Sequence, residues 1–214
     1  MPHLNRRRMS AALATVAAVL TLGAATSSQA QGARDPGAEQ FVQASAQKVI
    51  GILADKGLSE AQKEAAFHRA IDELADVPKI TNFVLGKYAR SITPEQKARF
   101  TPAFRAYAES VYRNRLDDYH GEVLKVTGST VRKPGDVIVT TQITGGHNAQ
   151  PVDVAWRVLG GSGGWKAVDV QFKGVWLAIT QQQDFVSTID NAHGNIDVLV
   201  AQLQRDAKRP PSSR

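Results

Sequence analysis

The side chains best suited to proton transfer or metal binding are His68, His120, His147 and His193. A zinc-type site needs such ligands to converge, commonly with a partner a few residues away on one element. His68 has Asp72 one helical turn on, but a single pair on a charged helix face reads more simply as solvated than as half a metal site. Tyr119-His120 and Asp169 are stronger candidates, because cone-shaped α+β enzymes set a His, Asp or Tyr inside an apolar cavity as acid or base. Asp169, however, alternates out of phase with Val168, Val170 and Phe172, which turns its carboxyl away from the apolar side of its strand. The chain has no cysteine, no Gly-Lys-Ser/Thr phosphate loop and no His-Glu-x-x-His pair. Gly160-Gly161-Ser162-Gly163-Gly164 is followed by no helix cap and reads as a hairpin loop. The expectation is a protein with no catalytic residue, no metal and no cofactor.

What remains is apolar chemistry. A buried acyl chain gains ~0.8 kcal/mol per CH₂ removed from water, so a long chain can be held without any polar motif. The stretch from Val84 to Gly121 supplies a suitable surface. Thr93, Pro94 and Gln96 form a capped helix start. Phe100, Phe104, Tyr107 and Val111 then recur at helical spacing, with Tyr112, Leu116 and Tyr119 in an adjoining stripe. So wide an apolar face predicts burial against a sheet or an apolar ligand.

The elements that would position these residues divide into helices, then strands, then helices. A first amphipathic helix spans residues 37–54. Ser59 and Gln62 form a capping box for a second, carrying Phe67, Ile71 and Leu74. Asp76-Val77-Pro78 opens a short third helix, closed near Gly86, and the aromatic helix runs from Pro94 to about Tyr119. After Gly121 the period becomes two. Residues 123–131 form a strand, Pro134-Gly135-Asp136 a turn, and Val137, Val139 and Ile143 mark the next strand. Val152, Val154, Trp156 and Val158 alternate cleanly, and Val168, Val170 and Phe172 give a further inner face, bent at Gly174. Two helices follow, carrying Phe185 and Ile189, then Ile196, Leu199 and Leu203. This order predicts an α+β fold: a curved antiparallel sheet with helices across it, a cone enclosing an apolar pocket.

The ends and the charge bound the cellular setting. Arg6–Arg8, the apolar run Ala11–Ala25 and Ser28-Gln29-Ala30 read as a cleaved secretory signal over residues 1–30. Residues 31–36 then read as a flexible mature N-terminus, 37–205 as one domain and 206–214 as a disordered tail. Residues 1–30 hold three of the 26 basic and none of the 20 acidic residues, leaving 23 against 20, or +3. Charges so scattered do not suit nucleic acid. Without cysteine there is neither a disulfide nor a lipobox for an acyl anchor.

Several of these pieces, in this order, resemble the periplasmic phospholipid-carrier family of the Mla lipid-transport pathway, also known as the toluene-tolerance family. They are Val84-Leu85-Gly86-x-Tyr88, Thr93-Pro94-x-Gln96, the Phe100/Phe104/Tyr107/Tyr112 set, Tyr119-His120-Gly121, Val152-x-Val154-x-Trp156-Arg157, Trp165-Lys166-x-Val168-Asp169, Gly174-Val175 and Gly194-x-Ile196-x-x-Leu199-x-x-x-Leu203. The resemblance implies a nuclear-transport-factor-like fold with a deep pocket for phospholipid acyl chains. It implies a monomeric shuttle between an outer-membrane lipoprotein–porin complex and an inner-membrane ABC transporter, maintaining outer-membrane lipid asymmetry. The lining residues it suggests are Phe83, Tyr88, Phe104, Tyr107, Val139, Ile143, Val154, Val170, Val175, Leu177 and Phe185. Trp176 departs from the small residue the family commonly carries after Gly-Val, which could narrow the mouth, pack outside, or favour another lipid such as a hopanoid. A cone-fold isomerase or dehydratase using Tyr119, His120 or Asp169 is the remaining alternative.

Overall fold

The computed structural model describes residues 33–116, 120–146 and 150–208, with the backbone alone for 112–116. The signal segment assigned to 1–30, Tyr119, His147, the end of the tail, and the side chains of Tyr112 and Leu116 therefore lie outside the described residues.

Local capping chemistry sets where the helices begin. Asp35 accepts from the Ala38 amide and starts α1, Pro36–Ala54. Ser59 and Gln62 exchange reciprocal bonds at the head of α2, Glu60–Leu74. Asp76 accepts from the Lys79 amide and opens α3, Val77–Val84. Gly86, at φ 54°, then turns the chain into a single 3-10 turn, Gly86–Arg90. Thr93 and Gln96 bond each other's backbone amides at the start of α4, Pro94–Leu116. Ahead of α1, the Ala33 carbonyl accepts from the Val131 amide and the Asp35 amide donates to Ser129, which ties the lead-in to the sheet.

Five antiparallel strands follow in simple meander order: β1 Val123–Lys133, β2 Asp136–Thr144, β3 Val152–Gly161, β4 Gly164–Phe172 and β5 Val175–Trp176. Register shifts in β1 and between β3 and β4 mark bulges, which bend the sheet. The glycine-rich segment is tighter than expected, since β3 runs to Gly161 and β4 restarts at Gly164. At Gly174 the chain turns back rather than bending, and β5 pairs with the end of β4. Two helices complete the described chain, α5 Leu177–Asn191 and α6 Ile196–Asp206. No helix among the described residues is long and apolar enough to cross a membrane.

The α+β class and the antiparallel meander are as expected, but the apolar residues do not form one continuous core. Ala38 and Val42 of α1 and Leu74 of α2 pack on Val137, Val139, Val158 and Ala167 of the sheet. A second cluster joins Val84, Leu85, Phe100, Phe104, Phe185, Ile189, Leu199 and Leu203, all from helical segments. The aromatic face of α4 is thus buried against α5 and α6, where the sequence called for a sheet or a ligand. Helical periodicity states that a face is covered; it carries no information about what covers it.

Candidate functional site

The sheet face toward α1 is built of residues in strict cross-strand register. Val131, Val137, Val158 and Ala167 form one row, and Ser129, Val139, Trp156 and Val170 the next. A third row crosses all five strands through Val126, Thr141, Val154, Phe172 and Val175. Leu124, Ile143 and Val152 form a fourth. Exposure grows along these rows: Val137 and Val158 are sealed, Trp156, Val170, Phe172, Ile143 and Val152 are half-buried, and Val175 at the edge is 50% exposed. An apolar surface that starts as core and runs out to an open edge is what a sheet offers to an acyl chain.

Val168 falls out of that register. Arg157 pairs with Asp169, but the next residue, Val158, pairs with Ala167, so Val168 is the extra residue of a bulge and Ala167 takes its place. Alternating sequence patterns miss such a slip.

The eleven expected lining residues fall into three groups. Val139, Ile143, Val154 and Val170 share the apolar sheet face. Phe104, Tyr107, Phe185 and Tyr88 belong to or pack on the helical core. There the Phe104 and Phe185 rings meet edge-on at 5.7 Å and Tyr107 leans on Phe185 at 6.4 Å. The Tyr88 hydroxyl donates to Asp190, which also pairs with Lys87. Phe83, Val175 and Leu177 form the third group, exposed where α3, β5 and α5 begin or end. In this conformation Val139, Val154, Phe104 and Phe185 are closed core, whereas Ile143, Val170 and the third group present accessible apolar area.

Open clefts flank the two cores. One, of about 350 Å³, lies between α4, α5 and α6 with Tyr107 and Phe185 in its wall and Asp184 and Asp206 beside them. Burial, then those two carboxylates, raise the Tyr107 phenol above its ordinary value. The other, of about 360 Å³, lies between α1, α2 and the β3–β4 hairpin, walled by Phe41, Leu74 and Trp165. Both are at the small end of the ~300–1,000 Å³ typical of ligand sites, too small for a whole two-chain lipid.

The polar groups are structural. Asp169 points away from the apolar rows, as its phase predicted, and accepts from the Ala178 amide at the head of α5 and from the Val170 amide. Trp176 supplies α5 with no side-chain cap, so this strand carboxylate does the capping from a distance. Desolvation by burial raises the Asp169 carboxyl above its ordinary value against those hydrogen bonds. On the same sheet side Asp136 takes a two-pronged bond from Arg157, at 3.0 Å to each oxygen, which holds its carboxyl below the ordinary value. His68 lies 3.5 Å from Glu109 of α4, while Asp72 pairs with Arg105. These two contacts join α2 to α4, where the sequence suggested a solvated helix face. Among the described residues no group of three or more His, Cys, Asp or Glu is placed to hold a metal. Trp176 pairs across from Gln171 and so lies on the opposite sheet side from Val175 and Phe172. It does not narrow the apolar rows.

Sequence reasoning missed the fifth strand and its turn. Lys173 and Gly174 are the two central residues, both in the left-handed region, at φ 49° and 83°. Asn-Gly or Asp-Gly would have announced such a turn; lysine hides it.

The described residues thus form an α+β domain with a meander sheet whose apolar face opens at one edge. Residues 43–205 match the MlaC protein family, and the chain belongs to it. It is 26% identical over 132 residues to the intermembrane phospholipid transport system binding protein MlaC of Haemophilus influenzae, across 59% of this chain and 60% of that protein. The chain thus spans less than two thirds of that relative's length. It is 25% identical over 162 residues to toluene tolerance protein ttg2D of Pseudomonas putida, across 73% and 74% of the two chains. In fold it is similar to the phospholipid-binding protein from Ralstonia solanacearum, solved in complex with a phospholipid. That match has a TM-score of 0.71 at 24% identity and covers 79% of this chain and 96% of the other.

Proposed function

We propose that this chain is a periplasmic phospholipid carrier. It would take lipid between an outer-membrane lipoprotein–porin complex and an inner-membrane ABC transporter, and so maintain outer-membrane lipid asymmetry, without catalysing a reaction. The observation that carries the reading is the set of apolar rows on the sheet, continuous from sealed core to exposed edge with no catalytic group set among them. The names of the family relatives, and the phospholipid held by the Ralstonia protein, support phospholipid as the ligand class. Acyl chains would lie along Ile143, Val154 and Val170 and reach the helical core at Tyr88, Phe104, Tyr107 and Phe185. Phe83, Val175 and Leu177 would line the mouth. The two clefts described are too small for a whole lipid, so loading would draw the helical and sheet cores apart.

The test is to export the protein in a bacterial host, purify it without detergent, and measure bound lipid by native mass spectrometry. Stoichiometric phospholipid is expected. Ile143→Glu combined with Val170→Glu places charge on half-buried positions that the fold can tolerate, and should remove the lipid while circular dichroism stays unchanged. Lipid retained by that folded variant would take these residues out of the site. A lipid-free wild type would count against the carrier reading itself.

A further inference from the structure

The corner formed by the β4–β5 turn and the start of α5 sets Lys173 and Ile179 beside residues placed above at the mouth of the proposed lipid site, and the inference drawn from it rests on that reading. Val175, Leu177 and Ile179 are 50%, 38% and 41% exposed within five residues of chain. Phe83, 38% exposed, stands at the end of α3, where its carbonyl accepts from Gln182 of α5. At the tip stands Lys173. A non-glycine residue in the left-handed region is strained, and asparagine or glycine would serve the turn better. Its ammonium lies 5.5 Å from the centre of the Phe172 ring, and no carboxylate among the described residues pairs with it. An unpaired cation stacked on an aromatic ring at the rim of exposed aliphatic side chains has the make-up of an interfacial anchor: apolar groups enter the acyl boundary while the ammonium meets lipid phosphate.

We propose that this corner, Lys173 with Val175, Leu177, Ile179 and Phe83, docks the protein directly and transiently onto an anionic phospholipid membrane. One lysine and four partly exposed apolar residues give weak, reversible adsorption rather than anchoring. That suits a molecule that has to leave again. Charge complementarity selects the occupant, because Lys173 offers phosphate a cation that no carboxylate among the described residues pairs with.

Flotation of the exported protein with vesicles of phosphatidylglycerol and phosphatidylethanolamine tests this, using variants outside the proposed lipid-lining set. Lys173→Asn keeps a residue that accepts the left-handed turn. It should raise Tm by about 2–4 °C through relief of strain while lowering vesicle binding roughly five-fold. Ile179→Asp sits in the first turn of α5, where an acid is tolerated, and should lower binding similarly. Wild-type binding should weaken as salt rises and on phosphatidylcholine vesicles. Equal partition of wild type and both variants, or no binding by the wild type, would overturn the proposal. Loss of capture by a transporter protein without any vesicle binding would overturn it in favour of a protein partner. Vesicle binding by a protein that copurifies no lipid would support this surface while removing the carrier reading.

Discussion

Asp136 and Asp169 sit on one side of the same sheet, and their environments push their carboxyls in opposite directions. Hydrogen bonding to Arg157 holds Asp136 below the ordinary 3.8. Its contribution to stability is present above that value and is lost as pH falls through the lowered one. Desolvation raises Asp169 above 3.8. Its contribution is complete below that value and is lost as pH rises through the raised one. Denaturant unfolding across the acid range should therefore show the advantage of wild type over Asp136→Asn growing with pH, and that over Asp169→Asn shrinking. Parallel curves for the two variants would contradict the assignment. Asp136→Ala strands Arg157, which keeps 35% of its side chain exposed, so its cost should be about 2–3 kcal/mol, below the ~3–5 for a fully buried pair. The phase of Asp169 was readable from its neighbours. Its role in capping α5 was not, because a cap from another strand leaves no local spacing to find.

Helix starts are the part of this fold most open to reading, since a cap is chemistry between residues three apart. Ser59, Asp76 and Thr93, read as caps in the sequence, each accept from an amide at the start of the helix they open, and Asp35, which the sequence reading left outside its first helix, does the same for α1. Asp76→Ala should cost about 1 kcal/mol by the usual loss at an N-cap, measurable as a lowered denaturant midpoint with unchanged slope. Gly86 tests the other end of the same helix. Its φ is 54°, and an added Cβ would meet the Val186 methyl at 2.7 Å. Gly86→Ala combines backbone strain with overpacking and should cost about 2–3 kcal/mol. A variant as stable as wild type would mean that α3 and α5 are free to shift apart. Strands were harder to read than helices. The bulge at Val168 and the hidden turn at Lys173 both depend on cross-strand pairing, a property of two segments that neither carries alone.

At the scale of the whole described domain, the two apolar cores share no buried residue, and polar contacts are among the links between them. The Ala167 carbonyl accepts from the Asp76 amide, Asp169 holds the head of α5, and Arg105 with Asp72 and Glu109 with His68 bridge α4 to α2. Apolar stripes in the sequence named many members of both cores, though not Ala38, Val42 or Ala167, and nothing in them said that the stripes would close on two centres. Polar contacts exchange for water at little net cost, ~0.5–1.5 kcal/mol each, whereas opening a packed core exposes apolar area. The loading proposed above would part the molecule at the seam where these polar contacts cross it. The chain contains no cysteine, so a pair introduced at Asp72→Cys and Arg105→Cys is the sole target for a short bismaleimide. Cross-linked in the lipid-free state, the variant should fail to take up phospholipid from vesicles, while the same variant left unlinked should load normally. Cross-linked after loading, it should retain its lipid. Loading that proceeds at the wild-type rate in the cross-linked, lipid-free protein would show that the seam stays shut during uptake. The acyl chains would then have to enter over the exposed edge at Val175, along rows that are already open.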